Sequence, residues 1–304
     1  VQDRSPEPPA NAPYPLLLDR RVSTTTETPA SMRVSAGTYN SVTKQTTWTL
    51  PFPATTTVQA WSGYSTTGNG GVLVGTATSG TSLTAKGQAN ALAVVSFALR
   101  GGLLHAPDTY MDKIAVGPGL PSGVIDLDAS AAENVKNLAK AKGVAPSDIT
   151  VCVLERERHQ HIIDGVKSVG GRVRLIPDGD VAGAMGAAGL GVGVDMYIGQ
   201  GGAPEGVLAA SALRCIGGQM QARLFFRNDD ERARAARVGV TDLDRKYDVS
   251  ELAASHCLFV ATGVTDGDLV DGVRTSGGQV HTHTLLLDSA DHSVRRIRSA
   301  RPLG

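Results

Sequence analysis

Three junctions in this chain set charged residues and glycines where a strand-like run gives way to a helix-like one. In RVRLIPDGDVAGAM, Asp178 and Asp180 flank Gly179. A single Asp is enough to cap the helix; two around a glycine also accept sugar hydroxyls or hold a cation. In VDMYIGQGGAPEGVLAA, Gly199, Gly201 and Gly202 precede Pro204 and Glu205. The glycines let the backbone approach a ligand, and a helix start attracts anions. Proline and an acid in a first turn are also ordinary helix-start chemistry. In LERERHQH, Arg156 and Arg158 close a strand-like run. Alternate strand residues point to one side, which offers both guanidiniums to one phosphate; solvated surface charge is the competing reading. Asp266 and Asp268 in ATGVTDGDLVDGV are expected to cap a helix. His159/His161 and His281/His283 repeat a His-x-His spacing without an accompanying acid or cysteine, a poor ligand set for a metal.

These segments need a scaffold, and the 304-residue chain has one available, with 41% apolar residues and a formal net charge of zero. The charge balance gives no case for nucleic acid or an acidic membrane face. Cys152, Cys215 and Cys257 each lie in an apolar run, as buried thiols do. Residues 1–18 are proline-rich and read as a disordered tail without the apolar stretch of a leader peptide, which points to a cytoplasmic protein. Residues 22–84 hold 18 Thr and 8 Ser and favour extended structure. After them the texture changes. GQANALAVVSFAL is a buried strand or helix. SAAENVKNLAKAKG is a helix with a capping box from Ser130 to Glu133 and a stop at Gly143. DITVCVL, RVRLI, VDMYIG, LFVATGV and VHTHTLLL are strands; HQHIIDGVKSVGG, VAGAMGAAG and EGVLAASALRCIGG are helices; SVRRIRSA is an edge strand. The alternation predicts a layered α/β fold.

In order, GQANALAV, APDTYMDKIAVGPG, RHQHII, IPDGDVAGAM, GQGGAPEGVLAASALRC and ATGVTDGDLVDGV resemble class II fructose-1,6-bisphosphatase, of the lithium-sensitive sugar-phosphatase superfamily. The likeness runs from about Thr81 to Leu303. It implies an α/β (α+β) fold layered as an α/β/α/β/α sandwich. It also implies an N-terminal domain over 19–120, a C-terminal domain over 121–304, and a site in the cleft between them. The implied activity is Mg²⁺- or Mn²⁺-dependent hydrolysis of the 1-phosphate of fructose 1,6-bisphosphate in gluconeogenesis, with sedoheptulose 1,7-bisphosphate taken by some relatives. The implied assembly is a homo-oligomer, a dimer or tetramer, with no nucleic-acid or membrane partner. The resemblance gives substrate contacts to Ser79, Gly80, Thr81, Tyr110, Arg156, Glu157, Arg158, Asp178, Gly179, Asp180 and Gly202. It gives Thr81 a part in activating water and makes Glu205 a metal ligand.

The departures from the family pattern fall early in the chain. Between Asp19 and Asp108 the only acidic residue is Glu27. Thr38, Thr76 and Ser79 stand where the family has acids, and Glu157 stands where it has proline. Each missing charge forfeits about 4 kcal/mol of attraction for unit charges roughly 4 Å apart at an effective dielectric near 20. A relative that binds sugar phosphate without turnover is therefore the alternative expectation. Glu205 is expected to face the Ser79-Gly80-Thr81 turn across a cleft.

Overall fold

A computed structural model describes residues 38–40, 45–50, 56–60, 72–79, 83–84, 86–99, 101–191 and 193–303. The expected tail over residues 1–18 lies outside them. The first three strands, β1 (Thr38–Asn40), β2 (Gln45–Leu50) and β3 (Thr56–Ala60), form an antiparallel sheet of their own. β4 (Val72–Ser79) pairs antiparallel with β5 (Leu92–Leu99), which settles GQANALAVVSFAL as a strand.

β6 (Tyr110–Val116) begins the part of the chain that builds a second, six-stranded sheet. α1 (Ala131–Lys142) follows, with both halves of its capping box formed at Ser130 and Glu133 and with Gly143 at φ 67° as its stop. Then come β7 (Thr150–Leu154), α2 (Gln160–Ser168), β8 (Arg172–Ile176), α3 (Asp180–Met185) and β9 (Met196–Gly202). α4 (Ala203–Ile216) leaves β9 with no intervening loop, so the expected glycine loop is the strand's own end. β10 (Gln219–Phe225), α5 (Asp229–Arg237), β11 (Lys246–Asp248) and the single turn α6 (Val249–Leu252) complete this part. The sheet order is β11-β10-β6-β9-β7-β8.

The chain then returns to the first large sheet with β12 (Cys257–Gly263), β13 (Arg274–Ser276), β14 (Gln279–Asp288) and β15 (Ser293–Pro302). Its order is β13-β14-β12-β5-β4, with β15 along β14. SVRRIRSA is thus a strand on an outer edge, and its exposed arginines fit that place.

Period-two alternation assigns the faces of the six-stranded sheet. Ile114 and Val116 of β6 join Val151, Val153, Met196 and Ile198 under α1 and α2. Met111 and Ala115 face the other way and pack with Cys152, Tyr197, α3 and α4. α4 is buried nearly all round, from Val207 to Leu213, because both large sheets close on it. A helix that is apolar on every side requires such a place. The described residues therefore stack as helix, sheet, helix, sheet, the α+β content expected of a sugar-phosphatase fold. Cys152, Cys215 and Cys257 are buried free thiols, and burial pushes the Cys152 thiol up to about 12. No helix among the described residues is long and apolar enough to cross a membrane.

Candidate functional site

The ends of β6, β9 and α3 converge at one place. Tyr110, the first residue of β6, lies opposite Gly202, the last of β9. Lys113, three residues along β6, is 2% exposed. Its ammonium pairs with the Asp180 carboxylate at the start of α3 and donates to the Gly202 carbonyl at 2.8 Å. Glu205, in the first turn of α4, folds back over Gly202. A Cβ at 202 would overlap the Glu205 carboxylate, and one at 201 would overlap Asp180. Glycine is required at both positions because side-chain oxygens fill the space. Burial raises the Glu205 pKa, and the Asp180 charge adds to the rise.

The two arginines flank this cluster. Arg158 donates to the Gln200 carbonyl at 2.9 Å and stands 5.3 Å from the Tyr110 ring centre. Arg156 donates to the Pro177 carbonyl at 2.8 Å, next to Asp178. They sit around a short 3-10 turn, Glu157–His159, rather than on a strand, and Glu157 is exposed. His159 is a buried strut: its Nδ1 lies 2.8 Å from the Leu154 carbonyl, and its Nε2 accepts from the Gln200 N–H at 2.9 Å. Burial lowers its pKa, so it stays a neutral hydrogen-bonding ring. Gly179 adopts φ 86°, which turns the chain between Asp178 and Asp180.

On the other side of Gly179 a small cleft opens, lined by Asn90, Arg174, Asp178 and Asp268 among others. Asp266 and Asp268 cap no helix, contrary to expectation. Asp266 accepts from the Gly272 N–H and from Arg274, Asp268 pairs with Arg174, and the Asn90 side chain accepts from the Asp268 N–H at 2.8 Å. The loop needs no helix because its N–H groups are met otherwise, Gly267 by the Val270 carbonyl and Asp268 and Gly272 by side chains.

The earlier candidates contribute backbone positions only. Thr38 pairs with Thr47, Thr76 with Val95 and Ser79 with Leu92. Gly80 and Thr81 lie outside the described residues, as does their placement relative to Glu205. Leu83, two residues on, packs against Gly179. Sequence reasoning missed Lys113, although its run DTYMDK was in view; the signal was a lysine inside an otherwise core-facing strand. It also missed Arg227, which stands 4.6 Å from the Tyr110 ring centre.

A mixed sheet, parallel across β9-β7-β8 and antiparallel across β11-β10-β6-β9, whose strand ends carry glycines, acids and arginines defines an α+β protein with a ligand-type site at the strand ends. Residues 71–301 match the model of the glpX-encoded bacterial fructose-1,6-bisphosphatase family, and the chain belongs to that family. The match begins ten residues before Thr81 (81 − 71 = 10), and so takes in β4. A D-fructose 1,6-bisphosphatase class 2/sedoheptulose 1,7-bisphosphatase of Synechococcus sp. (strain JA-2-3B'a(2-13)) is 40% identical over 231 residues, covering 72% of this chain and 66% of that protein. One of the same description from Synechococcus elongatus is 38% identical, covering 72% of this chain and 67% of that protein. The chain spans about two thirds of the length of the relatives it matches.

The family is generally dependent on a divalent metal. Such an ion takes about six oxygens, several of them usually anionic. Among the described residues no three His, Cys, Asp or Glu side chains converge. Lys113 balances the charge of Asp180, which leaves Glu205 as the one uncompensated carboxylate among the described residues of this cluster. The described residues on their own do not fit the ion.

Proposed function

We propose that this chain is a phosphate-monoester hydrolase that acts on fructose 1,6-bisphosphate and also accepts sedoheptulose 1,7-bisphosphate. Water adds to the phosphorus of the 1-phosphate, the bond from phosphorus to the sugar oxygen breaks, and orthophosphate and fructose 6-phosphate leave. Arg156, tied to the Pro177 carbonyl, and Arg158, steadied by Tyr110, hold phosphate oxygens. The carboxylates of Asp178 and Asp180 accept sugar hydroxyls. Gly202 leaves room for the Glu205 carboxylate, which borders the reacting group. Thr81, with Ser79 and Gly80, is assigned to the water side. Mg²⁺ or Mn²⁺ is the ion to supply in assay.

The observation that carries this reading is the convergence of Lys113, Asp180, Gly202 and Glu205, flanked by Arg158, in a member of this family. The test measures orthophosphate release from fructose 1,6-bisphosphate while Mn²⁺ and Mg²⁺ are titrated, alongside calorimetric binding of fructose 6-phosphate. Release confined to the 1-phosphate is the expected result. The reading is overturned if the chain shows neither release nor binding at every metal concentration.

A further inference from the structure

Lys113 occupies a position that core packing would give to an aliphatic residue. Its neighbours on the same face of β6 are Met111 and Ala115, both fully buried. Burying an ammonium costs several kcal/mol unless its partners are well placed. Here they belong to three separate elements. Asp180 comes from α3, the Gly202 carbonyl from the end of β9, and the stem runs beneath Gly206 in α4, where a Cβ would stand 3.2 Å from the lysine Cδ. Gly201 completes the slot, since a Cβ there would stand 3.2 Å from Nζ.

We propose that Lys113 is a positioning residue: it holds the Asp180 carboxylate and the Gly202 carbonyl in the arrangement that receives a sugar phosphate. The inference rests on the sugar-phosphate reading above. The chemistry is specific to an ammonium. Asp180 has two oxygens, and one is taken by Lys113, so the other is left as a fixed acceptor for a ligand hydroxyl. The same ammonium cancels one negative charge beside Glu205, and a phosphate dianion approaches a less repulsive wall. Among the described residues two of its three N–H groups are engaged, by the Asp180 carboxylate and the Gly202 carbonyl.

A double-mutant cycle tests it, with calorimetric binding of fructose 6-phosphate, thermal melting, and KM and kcat for phosphate release. Lys113→Met keeps the stem and removes the charge; Asp180→Asn keeps the shape and removes the acid. Lys113→Met is expected to weaken binding at least about tenfold, with the loss in turnover falling on KM rather than kcat. In the Asp180→Asn background, adding Lys113→Met is expected to cost no further affinity, because the lysine acts through that carboxylate. The double variant buries no unpaired charge, so it remains foldable if Lys113→Met alone does not, and its comparison with Asp180→Asn then decides. Wild-type affinity in Lys113→Met, a loss confined to kcat, or losses that simply add in the double variant would each overturn the proposal. Wild-type protein that fails to bind any sugar phosphate refutes the functional reading and takes this one with it. Binding by wild type that Lys113→Met leaves unchanged refutes the positioning role alone.

Discussion

The carboxylate of Glu205 occupies the space where a side chain on Gly202 would have to begin. The residue that ends β9 and the acid in the first turn of α4 are therefore a matched pair, set three positions apart by a strand that runs straight into a helix.

Gly202→Ala is accordingly expected to push the Glu205 side chain out of its place. Overpacking of this kind costs about 1–3 kcal/mol. A lowered melting temperature together with lost phosphate release is the expected result. A variant that melts and turns over like wild type would show that Glu205 moves aside freely.

Tyr110 lies under two guanidiniums, those of Arg158 and Arg227. Each cation–ring contact contributes about 0.5–1 kcal/mol at a partly exposed site. Replacing Tyr110 with Ala should weaken sugar-phosphate binding by about 1 kcal/mol, roughly fivefold in Kd, with Tyr110→Phe close to wild type. Calorimetric titration of the two variants separates the ring from the hydroxyl.

Glu231 supplies a pH-dependent tie just before the start of β6. The Arg227 side chain and N–H, with the Thr109 hydroxyl at 3.1 Å, hold its pKa at about 2, against an ordinary 4.5. Its stabilising contribution is therefore complete above about pH 4.5 and drains away as pH falls toward 2. Glu231→Gln should lower the melting temperature at neutral pH, and the gap from wild type should narrow across that window. A gap that stays constant with pH would assign the effect to shape instead of charge.

Ser130→Ala removes the hydroxyl that accepts from the Glu133 N–H at 3.2 Å. The expected cost is about 1 kcal/mol of stability, read from denaturant unfolding, with sugar-phosphate affinity unchanged. A change in affinity would tie α1 to the site, on whose sheet it lies on the opposite face.

These cases mark what the sequence made legible. The α1 boundaries could be read because Ser130, Glu133 and Gly143 act within one short segment. The strands TVCVL and RVRLI and the apolar α4 could be read for the same reason. The Lys113–Asp180 pair could not, because 67 positions separate the partners and only the order of strands in the sheet brings them together. β6 itself was obscured by Asp112 and Lys113, whose charges break the apolar pattern of YMDKIAV. The His159 spacing read as a poor ligand set, but nothing in it showed that the ring braces Gln200, 41 positions away. Asp266 and Asp268 looked like helix caps because a cap and a clasped loop use the same acid-glycine chemistry, and only Asn90, some 178 positions from Asp268, distinguishes them.

β15 pairs with β14 over its full ten residues, and among the described residues its other side meets no strand. An open edge of that length is a template on which another chain can add its own strand. Arg295, Arg296, Arg298 and Arg301 line this one, and Pro302 ends it without a backbone donor. A second copy docking there would bring like charges together, so the edge discourages the sheet from growing from molecule to molecule into an aggregate.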